Sequence, residues 1–296
     1  MNKWGLVVAV VVVLAVGLAL AAGTSLWSPA ARSSAPAEKH ETNPAPTASL
    51  PQETPGASDN AAAAGAGGGM AAIQKASAAN RYLFVFFWKE ENQPTAAMRQ
   101  VFQAATAKVA DRADAVAVNV ADPAENDIVA KFELDRAPMP LVLALAPNGA
   151  VTGGFPSTFS EQDLLGAFAT PCTEQCVKAL QENKLVLLCV QNGATKSNDA
   201  AMGGVRQFQA DERFRQATEV VMLDPTDARE ASFLGDLKIN PKTPQAVTAL
   251  LAPPGNVIAE FEGATSKDEL AAALLKANSG CCPGGSCGPG GCPPQP

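Results

Sequence analysis

The chain has 296 residues, of which 47% are hydrophobic, enough for the cores of two domains of ordinary size. Its net charge of −7 argues against a nucleic acid as partner, because proteins that bind nucleic acids carry a basic surface. The single histidine, His40, excludes the usual histidine-based catalytic triads.

Residues 1–27 are predicted to be a membrane anchor or a signal peptide. Residues 5–23 are almost purely apolar, Trp4 and Trp27 bracket them, and about 20 apolar residues span a bilayer. Lys3 favours a cytoplasmic start. A retained helix predicts a single-pass protein of the inner or cytoplasmic membrane, with its bulk facing the periplasm or the exterior. The alternative is cleavage near Ala21, which would secrete the protein to that space.

Residues 28–69 are predicted to form a disordered linker. They consist mostly of Pro, Ala, Ser, Thr, Glu and Gly and show no apolar period. Such a segment would hold the folded part away from the membrane.

Two α/β domains are predicted to follow, at 70–170 and 171–277. Apolar patterns and turn signals in the first predict helix 70–80, strand 82–88, helix 95–111, strand 115–119, helix 125–132, strands 141–146 and 150–154, and helix 160–167. The same signals in the second domain predict helix 173–181, strand 185–190, helix 199–210, strand 219–223, helix 228–237, strands 246–251 and 257–261, and helix 266–276. The same order appears twice, which indicates a duplication.

This order of elements resembles the thioredoxin fold, a central mixed sheet flanked by helices. In that family a strand ending in Phe-Trp precedes Cys-x-x-Cys at a helix start, and here Phe87 and Trp88 end the strand. The family's cysteine positions carry Asn92 and Thr95. The resemblance therefore implies two tandem thioredoxin-like domains, behind the N-terminal transmembrane or signal helix, that lack Cys-x-x-Cys.

The resemblance carries over to the second copy and to two prolines. The second copy has Lys196 and Asp199 at the degenerate active-site positions. Pro140 and Pro244 stand where the family has a cis-proline, whose surroundings bind extended peptide. These residues are expected to line two peptide-binding grooves.

Dithiol exchange is not expected at these positions. The reaction needs a thiolate nucleophile and a second thiol to resolve the mixed disulfide, and Asn92 and Thr95 supply neither. Their short polar side chains favour capping of the following helix instead. The sequence therefore does not predict a redox enzyme.

Seven cysteines stand elsewhere in the chain. Cys189 lies in an apolar strand and is expected to be a buried, inert thiol. Cys172 and Cys176 stand four apart at a helix start, where they could hold a metal, form a disulfide or simply pack as a clasp between the domains.

Residues 278–296 are predicted to be a flexible tail rich in Cys, Gly and Pro. Thiolates suit Cu(I) or Zn(II), and an oxidising compartment favours disulfides instead. The candidate ligands are Cys281, Cys282, Cys287 and Cys292.

Two functions follow from these features. The first is a membrane-anchored protein-binding or scaffold module of the cell envelope. It would have a protein partner, and no cofactor is assigned to it. The alternative is a thiol-based Cu- or Zn-binding or redox protein that works through its tail.

Overall fold

The computed structural model describes residues 68–279. The first domain contains α1 (Gly68–Ala78), β1 (Tyr82–Trp88), α2 (Gln93–Ala107), β2 (Ala113–Asn119), α3 (Asn126–Lys131), β3 (Leu141–Leu145), β4 (Val151–Pro156) and α4 (Glu161–Leu165). Short 3-10 turns, Pro123–Glu125 and Leu134–Arg136, flank α3.

The first sheet has the strand order β2-β1-β3-β4. Strand β1 runs parallel to β2 and antiparallel to β3, with Phe87 opposite Leu141, and β3 pairs with β4 in a hairpin. Strand β1 is central and buried on both faces because its apolar run is continuous. Phe86 packs toward α2 and α4, and Phe87 packs toward α1 and α3.

The second domain repeats this architecture. Its sheet has the order β6-β5-β7-β8, with β5 parallel to β6 and antiparallel to β7. Its elements are α5 (Pro171–Gln181), β5 (Leu185–Val190), α6 (Asn198–Ala210), β6 (Thr218–Leu223), α7 (Ala231–Asp236), β7 (Val247–Ala252), β8 (Asn256–Glu262) and α8 (Lys267–Ser279), with a 3-10 turn at Ala228–Glu230.

The predicted elements occur in the predicted order, and their bounds differ in a few places. The predicted helix 125–132 is a 3-10 turn followed by α3. Strand β2 begins at Ala113, earlier than predicted, because Ala113 pairs with Tyr82. Helix α4 begins with a capping box, in which Ser160 Oγ accepts the N–H of Asp163.

A buried glutamate caps the first helix of each domain. Glu125 accepts the N–H of Gly69 with both carboxylate oxygens, at 3.3 and 3.1 Å. Glu230 accepts the N–H of Cys172 at 3.1 Å. The negative charge at a helix N-terminus is favourable, because free N–H groups point there. A Cβ on Gly69 would lie 2.8 Å from Ile128, so this close approach requires glycine.

Helix α5 belongs to the second domain in sequence but contacts both domains. Val177 is buried in the first domain's core. The Gln181 amide pairs with edge strand β4, donating to the Val151 C=O at 2.8 Å and accepting the Val151 N–H at 3.0 Å. The Tyr82 hydroxyl donates to Glu174. Because other side chains of α5 line the second core, the helix is shared by the two domains.

Within residues 68–279, no helix combines the length and apolar character needed to cross a bilayer. The predicted anchor 1–27, most of the linker 28–69 and the tail after residue 279 lie outside the described residues.

Candidate functional site

The first domain brings the end of β1, the start of α2 and the loop before β3 to one edge of its sheet. Asn92 caps α2, and its Oδ1 accepts the N–H of Thr95 at 2.9 Å. Thr95 is 3% exposed, whereas Asn92 is exposed. Trp88 lies beside this helix start at the end of β1 and is half-buried. Asn92 and Thr95 are thus joined in a helix cap.

The loop before β3 contains a cis peptide bond between Met139 and Pro140. Pro140 is buried, and its C=O accepts the N–H of Ser157 at 2.7 Å. Neither the backbone N–H nor the C=O of Met139 has a hydrogen-bond partner within residues 68–279. Since Phe87 faces Leu141, the adjacent residues Trp88 and Pro140 meet at this end of the sheet. We call this surface the first edge site.

An arginine fixes the aromatic side of the first edge site. The Arg99 guanidinium lies 4.9 Å from the Trp88 ring and 5.0 Å from the Phe86 ring. It also donates to the Glu91 carboxylate at 2.7 Å. Cation–π contact and an ion pair therefore hold Trp88 in place.

The corresponding place in the second domain is occupied by the chain itself. The Lys196 N–H donates to the Pro244 C=O, and the Ala246 N–H donates to the Lys196 C=O, both at 2.9 Å. Lys196 thus forms an isolated parallel bridge with Gln245. We call this surface the second edge site. Asp199 lies exposed in the first turn of α6 and makes no contact with this bridge in the described hydrogen bonds.

The prediction of a cis-proline at Pro244 is wrong. The cis bonds within residues 68–279 precede Pro140 and Pro254. Val190 faces Val247 just as Phe87 faces Leu141, so Ala246 occupies the position of Pro140. A proline at that position could not donate the hydrogen bond that Ala246 gives to Lys196.

The described cysteines are free and buried. Cys172 and Cys176 face the second domain's core, so the contact of α5 with the first domain is made by other side chains, contrary to the predicted clasp. The hydrogen bond between these two thiols, together with burial, raises the pKa of Cys176 well above its ordinary value. Burial raises the pKa of Cys189 to about 12. A thiol held neutral in this way is a poor nucleophile.

Within residues 68–279, no group of three or more His, Cys, Asp or Glu side chains is arranged to hold a metal ion. The four predicted metal ligands lie outside the described residues: Cys281, Cys282, Cys287 and Cys292. Their proposed role therefore remains a sequence prediction.

No protein-family model and no curated protein sequence matches the chain. Among solved structures, it is similar to zinc-bound human ERp44 (9% identity, TM-score 0.30, 71% of this chain and 59% of that one). It is also similar to the first two thioredoxin domains of Saccharomyces cerevisiae Eps1p (10% identity, TM-score 0.26, 68% and 94%). The chain is also similar to Arabidopsis thaliana thioredoxin O2, at 13% identity and a TM-score of 0.28, over 33% of this chain and 80% of that one.

These neighbours share a thioredoxin-like architecture, and the similarity says nothing further about this chain. The two sheets of the chain are consistent with two thioredoxin-like domains, because each has a parallel crossover pair, a central strand and a terminal hairpin.

One difference between the two edge sites has a signal in the sequence. The connection 191–197, between β5 and α6, is longer than the connection 89–92, between β1 and α2. The additional length allows Lys196 to reach Gln245. No local sequence pattern could have shown that the backbone of Met139 is unpaired, because backbone pairing depends on residues that are distant in sequence.

Proposed function

We propose that the chain is a protein-binding module that does not carry out dithiol exchange and that binds extended peptide at the first edge site. The observation that carries the proposal is the unpaired backbone of Met139 beside cis Pro140. Met139 lies beyond the end of the β1–β3 pairing, where its free N–H and C=O can pair with an extended peptide. The N-terminal helix is proposed to tether the module to the cell-envelope membrane.

The chemistry of the described residues supports a binding role over a redox role. Asn92 and Thr95 hold the helix start without supplying a thiol. Cys189 is buried in an apolar strand far from solvent. An exposed nucleophilic thiolate is the feature that dithiol exchange requires.

The second domain supports strand pairing at the first edge site. There, Lys196 pairs through its backbone with Pro244 and Ala246, the neighbours of the residue that corresponds to Met139. The duplication makes the two edges comparable, so an extended segment fits at this place in the fold. At the first edge site the segment has to pair with Met139 itself, because Pro140 has no N–H to donate.

A substitution that removes one backbone N–H tests the proposal. The probe is a fluorescein-labelled linear peptide, selected on the full chain from a random phage-displayed library. Met139→Pro removes the unpaired N–H and is expected to weaken the Kd at least tenfold, whereas Met139→Ala keeps the backbone and should change it less than threefold. Equal binding by both variants in fluorescence anisotropy would refute strand pairing at Met139.

The second candidate function is metal binding by the tail, and the clustering of its cysteines favours it. Cys281, Cys282, Cys287 and Cys292 stand within a short Gly- and Pro-rich stretch. Native mass spectrometry of the reduced full chain with Zn(II) or Cu(I) would show a bound ion that the fourfold Ser variant lacks. Equal metal content in both proteins would exclude the tail.

A further inference from the structure

The second edge site is closed by a segment that is built to stay there. Ser197 has a left-handed backbone (φ 64°) and donates from its hydroxyl to Gln245 Oε1 at 3.0 Å. Thr195 accepts the N–H of Asn192 at 2.9 Å and donates to Asn198 Oδ1 at 2.7 Å. The loop is thus held on both sides of Lys196 by side-chain hydrogen bonds.

The pairing at the second edge site uses backbone atoms. The Lys196 side chain is exposed and makes no hydrogen bond or ion pair within residues 68–279, while its N–H and C=O are both paired at 2.9 Å. Any residue with a backbone N–H can make these two bonds. The edge therefore recognises an extended main chain, and an external segment could make the same bonds in place of Lys196.

The first edge site has no such segment. The short connection 89–92 leads directly into the capped start of α2, and Met139 has no backbone partner within residues 68–279. The two domains therefore share a fold and differ in whether this edge is occupied.

We propose that residues 195–197 are a built-in strand that competes with peptide for the second edge site. The chain then offers one open site and one closed site, and displacement of the strand opens the second. This inference rests on the proposed function, because it assigns the same kind of ligand, an extended peptide main chain, to both domains.

Lys196→Pro opens the second edge site and leaves the edge itself intact, because it removes only the N–H of Lys196 that binds the Pro244 C=O. Ala246→Pro removes the N–H by which the edge binds the Lys196 C=O, and a peptide would need the same N–H. This second variant therefore weakens the built-in strand and the peptide alike. Lys196→Ala is the matched control, because it changes only an exposed side chain.

Binding stoichiometry is the readout, measured by titration with the fluorescein-labelled peptide selected on the wild-type full chain. Wild type and Lys196→Ala are expected to bind one peptide. Lys196→Pro is expected to bind two and Ala246→Pro one, and circular dichroism establishes that each variant is folded. One peptide per chain in folded Lys196→Pro would overturn the built-in strand.

A parallel selection separates failure of this inference from failure of the proposed function. Phage selection on Met139→Pro/Lys196→Pro, with the first site blocked and the second opened, is expected to return peptides. If wild type returns none and the double variant returns some, the proposed function fails and the built-in strand stands. If wild type returns peptides and the double variant returns none, the built-in strand is overturned. If neither returns any, both fail.

Discussion

At the scale of single residues, Asn92 and Thr95 of the first edge site form the cap of helix α2. Asn92 satisfies the N–H of Thr95 in the way that a favoured cap does. The sequence predicted this capping, because a short polar side chain at a helix start can accept a free backbone N–H. It could not predict that Thr95 would be almost fully buried, since that depends on packing across the sheet.

Two cysteines at these positions should give the first domain dithiol-exchange activity, which Asn92 and Thr95 cannot supply. In Asn92→Cys/Thr95→Cys, the first thiol lies at a helix N-terminus, which lowers a thiol pKa and favours the thiolate. We expect measurable reduction of insulin disulfides by the double variant in the presence of dithiothreitol, well above the rate for wild type.

Asn92→Ser/Thr95→Ser is the matched control, because it has similar side-chain size without sulfur. Activity in this control equal to that of the cysteine variant would show that the added thiols are not responsible for the reduction.

The buried thiol of Cys189 should make the protein less stable in alkali. Its pKa is raised from 9.0 to about 12 by burial, so the unfolded thiol ionises at lower pH than the folded one. The unfolded state then binds fewer protons, and the free energy of unfolding falls as pH rises above about 9. Between pH 8 and 10 we expect Cys189 to account for a loss of about 1 kcal/mol.

Denaturant unfolding at pH 8, 9 and 10 measures this loss. Cys189→Ala removes the group and should flatten the dependence, although Cys176 contributes in the same direction. An unchanged slope in Cys189→Ala would contradict the assignment.

At the scale of elements, the order of helices and strands could be predicted because apolar periodicity and turn residues are local signals. The register of the second copy could not. The sequence aligned Pro244 with Pro140, whereas the pairing of Val190 with Val247 places Ala246 there. Register is fixed by strand pairing across distant segments, so one misplaced proline shifted the predicted site by two residues.

The buried glutamate caps are the second feature that local patterns missed, because each joins residues far apart in sequence. Glu230→Ala leaves the Cys172 N–H without an acceptor, which should lower the free energy of unfolding by about 1–3 kcal/mol. Glu125→Ala should act similarly through Gly69. Chemical denaturation measures both losses, and the exposed Glu212→Ala serves as control. A loss at Glu230 no larger than at Glu212 would show that the cap contributes little.

At the scale of the whole molecule, α5 couples the two domains. The sequence repeats predicted two domains, at 70–170 and 171–277, but an amphipathic pattern cannot show that a helix is buried on two sides. Val177, Gln181 and Glu174 all contact the first domain.

Gln181→Ala should weaken this coupling. It removes both hydrogen bonds to Val151, with an expected cost of about 1–3 kcal/mol. Hydrogen exchange followed by mass spectrometry should show faster exchange in β4, while β8 remains unchanged. Uniform acceleration in both strands would indicate general destabilisation instead of a local effect.

The pairing of Gln181 with Val151 also bears on self-association. An edge strand with free N–H and C=O groups is a template on which other chains can aggregate. The helix covers this template at β4, whereas the outer strand β8 of the second sheet carries the exposed charges of Glu260 and Glu262, which repel a similar strand. A first domain truncated before α5 would leave β4 unpaired at Val151 and expose the apolar surface that Val177 covers. It should therefore precipitate at concentrations at which the two-domain chain stays in solution.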